Sequence, residues 1–400
     1  MEMRKKHGRS FFCFHLENPL NTQQCKASLS ALVAACLLAA CGGGGSDTTP
    51  AASVTSVKVA GDSLADSGTF GYKFTVQGTA ATGEGSTPIW PERVATSYGQ
   101  PLCAYYRFNG SAFGANAACT NYAVGGGRIN NATAPTSPVS ITQQLKDMGA
   151  RGYSASDLVL VDGGGNDAAD LIGAYLRASS DNGQTYAALL GSLLPPATVS
   201  GALAGGASGM AQVGGAYMQA LAKNFADTIK ANTIAKNAPR VAVLNAPGVT
   251  LTPRFRLVLA SVSAARGAAA AAQLEALFDG WIQAYNAQLA TSLAGDNRIA
   301  VVDFYASFKD QVNNPAQYQL SNASTPACPA TGVGADGLPT YNFPTCTATA
   351  LSAMTPPAGA TGGADWWKSY GFADSFHPTP YGHQLMGQLV SRSLSRAGWL

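Results

Sequence analysis

A serine hydroxyl becomes a competent nucleophile at neutral pH only when an imidazole takes its proton, and that imidazole needs a carboxylate to fix its tautomer and stabilise its charged form. The 400-residue chain has four histidines, of which His7 and His15 fall in a stretch that reads as a removable leader. His377 and His383 remain as candidate general bases. Asp374 precedes His377 by three positions in Ala373-Asp374-Ser375-Phe376-His377-Pro378. In a loop leading to a helix, this spacing brings a carboxylate back to the ring nitrogen that faces away from the serine. His383 lies in the following helix-like segment, where a packing or surface role is expected. The serine is Ser63, in Gly61-Asp62-Ser63-Leu64, directly after an alternating Val/Ser/Thr run. It should sit on the turn where a strand hands over to a helix. Such a turn is by itself a routine way to end a strand, so its weight comes from its companions.

Two glycine clusters could hold a developing oxyanion: Asn121-Tyr122-Ala123-Val124-Gly125-Gly126-Gly127 and Gly163-Gly164-Gly165-Asn166-Asp167. Glycines let backbone N–H groups approach a small anion, and an asparagine amide adds a neutral donor. Ordinary glycine turns, with Asn166 capping the next helix, would explain the glycines but not the combination. Gly163-x-Gly165-x-x-Ala168 also fits a loose dinucleotide fingerprint. That motif normally opens the first β-α unit and needs an acidic residue ending the second strand, whereas this copy is in mid-chain with no strand leading to Asp181.

These residues need a frame that brings Ser63, the glycine clusters at 121–127 and 163–167, and positions 374–377 together. Strands are expected at Val54–Val59, Asp157–Val161, Arg240–Leu244 and Ile299–Phe304, the last three as short continuous apolar runs suited to a sheet covered on both faces. They alternate with helix-like stretches at Trp90–Tyr98, Ile141–Met148, Ala216–Ala235, Ala264–Leu293 and Gly382–Ala397. The repeated β-α pattern implies an α/β fold with a parallel central sheet between helix layers. Leu193–Gly215, rich in Gly and Ala, and Asn313–Gly363, rich in Pro, Thr and Gly, break the rhythm and read as inserted loops of the kind that form lids, or as surface elaboration.

Hydrophobic residues make up 46% of the chain and charged ones 12%, enough to bury a sizeable core and neither disordered nor fibrous. Arg4, Lys5, Lys6, Arg9 and Lys26 precede an apolar run from Ala27 to Ala40, which reads as an export signal too short to span a bilayer. It ends Leu38-Ala39-Ala40-Cys41, which resembles the lipobox of bacterial lipoproteins and makes Cys41 the acylated residue. Gly42 after it points to the outer membrane or cell surface. The expected organisation is a signal at 1–40, a flexible linker at 41–53 and one catalytic domain at 54–400. The formal charge of +3 belongs to the signal, since removing residues 1–40 balances the two signs. No basic patch is left to suggest a nucleic-acid partner. Cys103, Cys119, Cys328 and Cys346 can form two bridges in an exported chain. The pairing expected is Cys103–Cys119 and Cys328–Cys346, each closing a short Gly-, Ala- and Asn-rich loop. The spacings do not suit zinc, and the serine chemistry requires no metal and no organic cofactor.

Gly61 to Gly68, Asn121 to Gly127, Gly164 to Asp167 and Asp374-Ser375-Phe376-His377-Pro378-Thr379, in that order, resemble the blocks of the SGNH/GDSL hydrolase family. The likeness is greatest to the bacterial branch called phospholipase, lecithinase or haemolysin-like, with Trp366-Trp367 compared to an aromatic pair ahead of the last block. The resemblance implies a flavodoxin-like three-layer α/β/α sandwich and hydrolysis of carboxylic esters. It also implies Ser63 as nucleophile, Asp374 and His377 as its partners, and an oxyanion hole from Ser63, Gly126 and Asn166, with Gly125 and Gly127 as alternatives to Gly126. A lipid or small acyl ester is the expected substrate, with a lipid favoured. Carbohydrate O-deacetylation, acyl transfer by the same fold, or a non-catalytic surface-binding lipoprotein are the competing readings.

Overall fold

The computed structural model describes residues 53–80, 83 and 85–400. The expected signal, nearly all of the linker and the acylation candidate Cys41 lie outside the described residues. In chain order the elements are β1 (Ser56–Ala60), α1 (Trp90–Ser97), β2 (Tyr106–Phe108), β3 (Phe113–Ala115), α2 (Ile141–Ala150), β4 (Asp157–Val161), α3 (Gly165–Arg177), α4 (Gln184–Gly191), α5 (Pro196–Ala204), α6 (Gly206–Asn232), β5 (Val241–Leu244), α7 (Pro253–Arg266), α8 (Ala268–Leu293), β6 (Ile299–Val302), α9 (Phe304–Asn313), β7 (Asn322–Pro326), β8 (Gly332–Val333), β9 (Pro339–Thr340), α10 (Ala348–Ala353), β10 (Tyr370–Phe372) and α11 (Pro380–Arg396).

Strands β1, β4, β5 and β6 pair in that order, all parallel. On the other side of β1 runs Thr120–Val124: Val59 N–H donates to Thr120 O (3.1 Å), Tyr122 N–H to Val59 O (2.7 Å) and Val124 N–H to Gly61 O (3.2 Å). This segment completes the flavodoxin-like order in which the chain steps to one side of β1 and then returns to the other. In such sheets ligands collect beyond the carboxyl ends of the strands at this reversal. Side chains alternate across a strand, and β4 shows why its run is apolar throughout. Leu158 and Leu160 join Val57, Val59, Trp90 and Val390 on one face, while Val159 and Val161 join Leu171, Leu221, Phe225 and Tyr285 on the other. Helices cover both faces, which makes the three-layer α/β/α sandwich.

The strands and the helices α1, α2 and α11 lie within a few residues of the expected positions. The Gly/Ala-rich stretch does not: Leu193–Gly215 is largely helical, holding α5 and the start of α6. Alanine is the best helix former, and the glycines serve packing, because a Cβ on Gly214 would lie 2.3 Å from the Trp281 ring of α8. The expected helix Ala264–Leu293 is two helices, parted at Gly267, whose φ of 88° no α-helix accommodates. The Asn313–Gly363 region has little regular structure. It folds round a small core in which its Cys328, Cys346, Phe343 and Leu351 are buried with Val76 from the segment after Ser63 and with Trp366 and Trp367 from beyond its end. Both disulfides form with the short-loop pairing, Cys103–Cys119 and Cys328–Cys346.

Candidate active site

Ser63 is held by the turn that ends β1. Gly61 must lack a side chain, because a Cβ there would lie 1.5 Å from Asp162 Oδ1 at the end of β4. That oxygen accepts the Asp62 N–H (3.1 Å), Gln144 Oε1 accepts the Gly61 N–H (2.8 Å), and Asp62 Oδ1 accepts the Leu64 N–H (3.0 Å). With its neighbours clamped, Ser63 has one position to occupy, and it is only 4% exposed.

The imidazole reaches it from the far end of the chain. His377 Nε2 lies 2.8 Å from Ser63 Oγ, and His377 Nδ1 lies 2.9 Å from Asp374 Oδ2. The three-residue spacing works because Asp374 Oδ1 also accepts the backbone N–H groups of Phe376 (2.8 Å) and His377 (2.6 Å), while Ala373 N–H donates to His377 O (2.8 Å). The loop is thereby folded back on its own carboxylate. Thr379 then caps α11 by accepting the Gly382 N–H, with Pro380 at the first helical position, where a missing N–H costs nothing. Burial pushes the Asp374 carboxyl up, but the facing charge of His377 and the donated N–H groups outweigh it and hold the carboxyl below its ordinary value. Phe74, Phe343 and Phe376 stand around the imidazole at ring-centroid distances of 5.2, 5.4 and 5.8 Å.

Of the three adjacent glycines, Gly125 donates its N–H to Asp66 Oδ2 (2.8 Å) and Gly127 donates to Val124 O (3.0 Å). Gly126 N–H has no acceptor among the described residues, so it is the one free to serve an oxyanion. Gly127 packs directly on the serine turn, since a Cβ there would meet Gly61 O at 2.8 Å and Asp62 Cα at 3.1 Å. Asn166, the second residue of α3, does not cap its helix. Its amide donates to Gly127 O (2.9 Å), which ties the second glycine cluster to the first. His383 is fully buried, its Nδ1 3.4 Å from the Trp90 N–H, so it packs against α1. Trp366 and Trp367 belong to the disulfide-containing core, their indole N–H groups donating to Leu351 O and Ser352 Oγ.

Several residues that shape the site gave no separate signal in the sequence. Asp66 accepts the N–H groups of Gly68, Thr69 and Gly125 and so joins the serine turn to the glycine loop. Asp167 accepts those of Ile129 and Asn130. Its burial, partly countered by these bonds, lifts its carboxyl to about 6. Behind Ser63, burial and then the neighbouring Asp62 push Asp162 well above the ordinary carboxyl range, and burial raises Asp62 as well. Two close buried carboxyls resist carrying two charges. Only their arrangement in space shows what each aspartate binds, because aspartate is common at strand ends.

A strand-end serine within hydrogen-bond reach of a carboxylate-oriented imidazole, on a flavodoxin-like parallel sheet, defines a hydrolase of the serine type. A model of the GDSL-like Lipase/Acylhydrolase family matches residues 57–390. The chain belongs to that family and is an ester-hydrolysing enzyme of SGNH hydrolase fold. No curated protein matches it.

Proposed function

We propose that the protein hydrolyses carboxylic acyl esters through an acyl-enzyme on Ser63, with lipid esters preferred. Ser63 Oγ attacks the ester carbonyl as His377 Nε2 takes its proton, and Asp374 holds Nδ1–H and balances the imidazolium. The carbonyl oxygen, now carrying the electron pair, is held by the Ser63 and Gly126 backbone N–H groups and the Asn166 amide. Collapse breaks the bond to the alcohol, which leaves with the proton from His377. Water then attacks the acyl-enzyme by the same route in reverse. The observation that carries this reading is the 2.8 Å contact between Ser63 Oγ and His377 Nε2. Purified protein is expected to hydrolyse p-nitrophenyl esters and to be labelled by a fluorophosphonate. Ser63→Ala should lower kcat by about a thousandfold or more, and a variant as active as the wild type would sink the proposal.

Acylation of Cys41 after removal of residues 1–40 would hold the enzyme at the outer membrane or cell surface. The apolar run ending Leu38-Ala39-Ala40-Cys41 supports this reading, and a lipid substrate suits such a location. Metabolic labelling with a fatty-acid analogue, lost in Cys41→Ser, is the test.

A further inference from the structure

Two compartments meet at the Ser63–His377 hydrogen bond, and they differ in kind. One is an open polar cleft lined by Asn166, Asp374, His377, Arg128, Arg254 and Tyr341. The other is a narrower, partly enclosed and mostly apolar cavity of about 60 Å³ that includes Ser63 in its wall but not His377, and is lined by Leu64, Val249, Phe304, Phe308, Val312 and Leu320. Phe376 lines both and stands between them. Several polar groups around this cavity are turned to partners of their own: Asn245 bonds to Asp303 and Tyr305, Thr252 to Val249 O, and Gln311 to Ser307. Asp62 and Asp162 also line it, and Asp162 Oδ2 has no hydrogen-bond partner among the described residues. A water-sized sphere fills roughly 10–15 Å³ of such space, so the cavity has room for a slim hydrocarbon chain and little for a bulky or branched one.

Resting on the Ser63 reading, the chemistry decides which half of the ester goes where. His377 Nε2 must hand its proton to the departing alcohol oxygen, so the alcohol lies on the side that His377 lines, the open polar cleft. The acyl carbon is bonded to Ser63 Oγ, and its chain must run the other way. We infer that the apolar cavity is the acyl-chain site, that it selects unbranched apolar acyl groups, and that Leu320 and Ala323, from the 313–363 insertion, limit their length. The insertion thus sets substrate choice while contributing no atom to the reaction.

The test compares kcat/KM on p-nitrophenyl acetate, octanoate and dodecanoate, with melting curves to confirm folding. The wild type should favour octanoate over acetate. Ala323→Phe, which fills the cavity, should lower the octanoate-to-acetate ratio by about tenfold or more, the usual scale for excluding methylenes from an apolar pocket. Leu320→Ala should raise the dodecanoate-to-octanoate ratio, and decides the matter if Ala323→Phe does not fold. Ratios unmoved in the folded variants, including an equal loss on every ester, overturn the inference. Ser63→Ala separates the two levels. If it is inactive while the ratios stay fixed, only the acyl-site assignment fails. If it stays active, the nucleophile assignment fails first.

Discussion

At the scale of residues, the site depends on buried carboxyls that are stabilised in opposite directions. Asp374 faces His377 and two backbone donors and is held low, so what it contributes to stability is present at neutral pH and lost on acidification. Asp167 is the reverse case, raised mainly by burial from an ordinary 3.8 to about 6. The folded state keeps its proton to higher pH than the unfolded chain does. Its contribution is therefore full below about pH 4 and lost as pH rises through about 6. Replacing Asp167 by Asn removes that titration. The stability difference between variant and wild type should move in the variant's favour by on the order of 2–3 kcal/mol between pH 4 and 7, read from urea midpoints at several pH values. A difference that stays constant across this range would show that Asp167 does not titrate there. Asn at this position also leaves one of the N–H groups of Ile129 and Asn130 facing an amide NH₂, so the variant should start from lower stability at acid pH.

At the scale of elements, the layer formed by α6 and α8 is a support: among the described residues, neither helix hydrogen-bonds the side chains of Ser63, His377, Asp374 or Asn166. Gly214 lets α6 lie against Trp281, whose indole N–H donates to Ala211 O (2.9 Å). Gly214→Val would push atoms into the ring and should destabilise the fold by about 1–3 kcal/mol, the usual cost of overpacking, while leaving kcat on a soluble ester unchanged. Thermal melting and turnover on the same preparation check both halves. The insertion behaves differently. Phe343, buried beside the Cys328–Cys346 bridge, is also one of the rings around His377, so this bridge should matter to activity as well as stability. The paired change Cys328→Ala and Cys346→Ala opens a loop of 18 residues. It should cost about 3 kcal/mol and lower ester turnover even at temperatures where the protein remains folded. Undiminished turnover would show that the imidazole is held without this core.

At the scale of the whole molecule, the sequence by itself determined the parallel sheet and pointed to the residues proposed to react. The alternating run before Gly61 and three short continuous apolar runs each marked a strand, of which β4 and β5 are buried on both faces while Val301 of β6 is exposed, and the scarcity of histidine outside the expected leader pointed to His377 with Asp374 as the pair to consider. Both readings rest on local chemistry, which is written in neighbouring residues. The short-loop disulfide pairing was legible for the same reason. The tertiary structure decided what depends on distant contacts. Gly126, rather than Gly125 or Gly127, is left with a free N–H because Asp66 and Val124 take the other two. Leu193–Gly215 is helix, not loop, because Trp281 fills the space its glycines leave. The apolar cavity beside Ser63 takes its walls from Leu320 and Ala323 of the insertion together with Phe308, Val312 and the strand ends. Periodicity and spacing report which way a chain turns over a few residues. Which hydrogen bonds are already spent, and which empty space remains, is fixed only when segments hundreds of positions apart compete for the same volume.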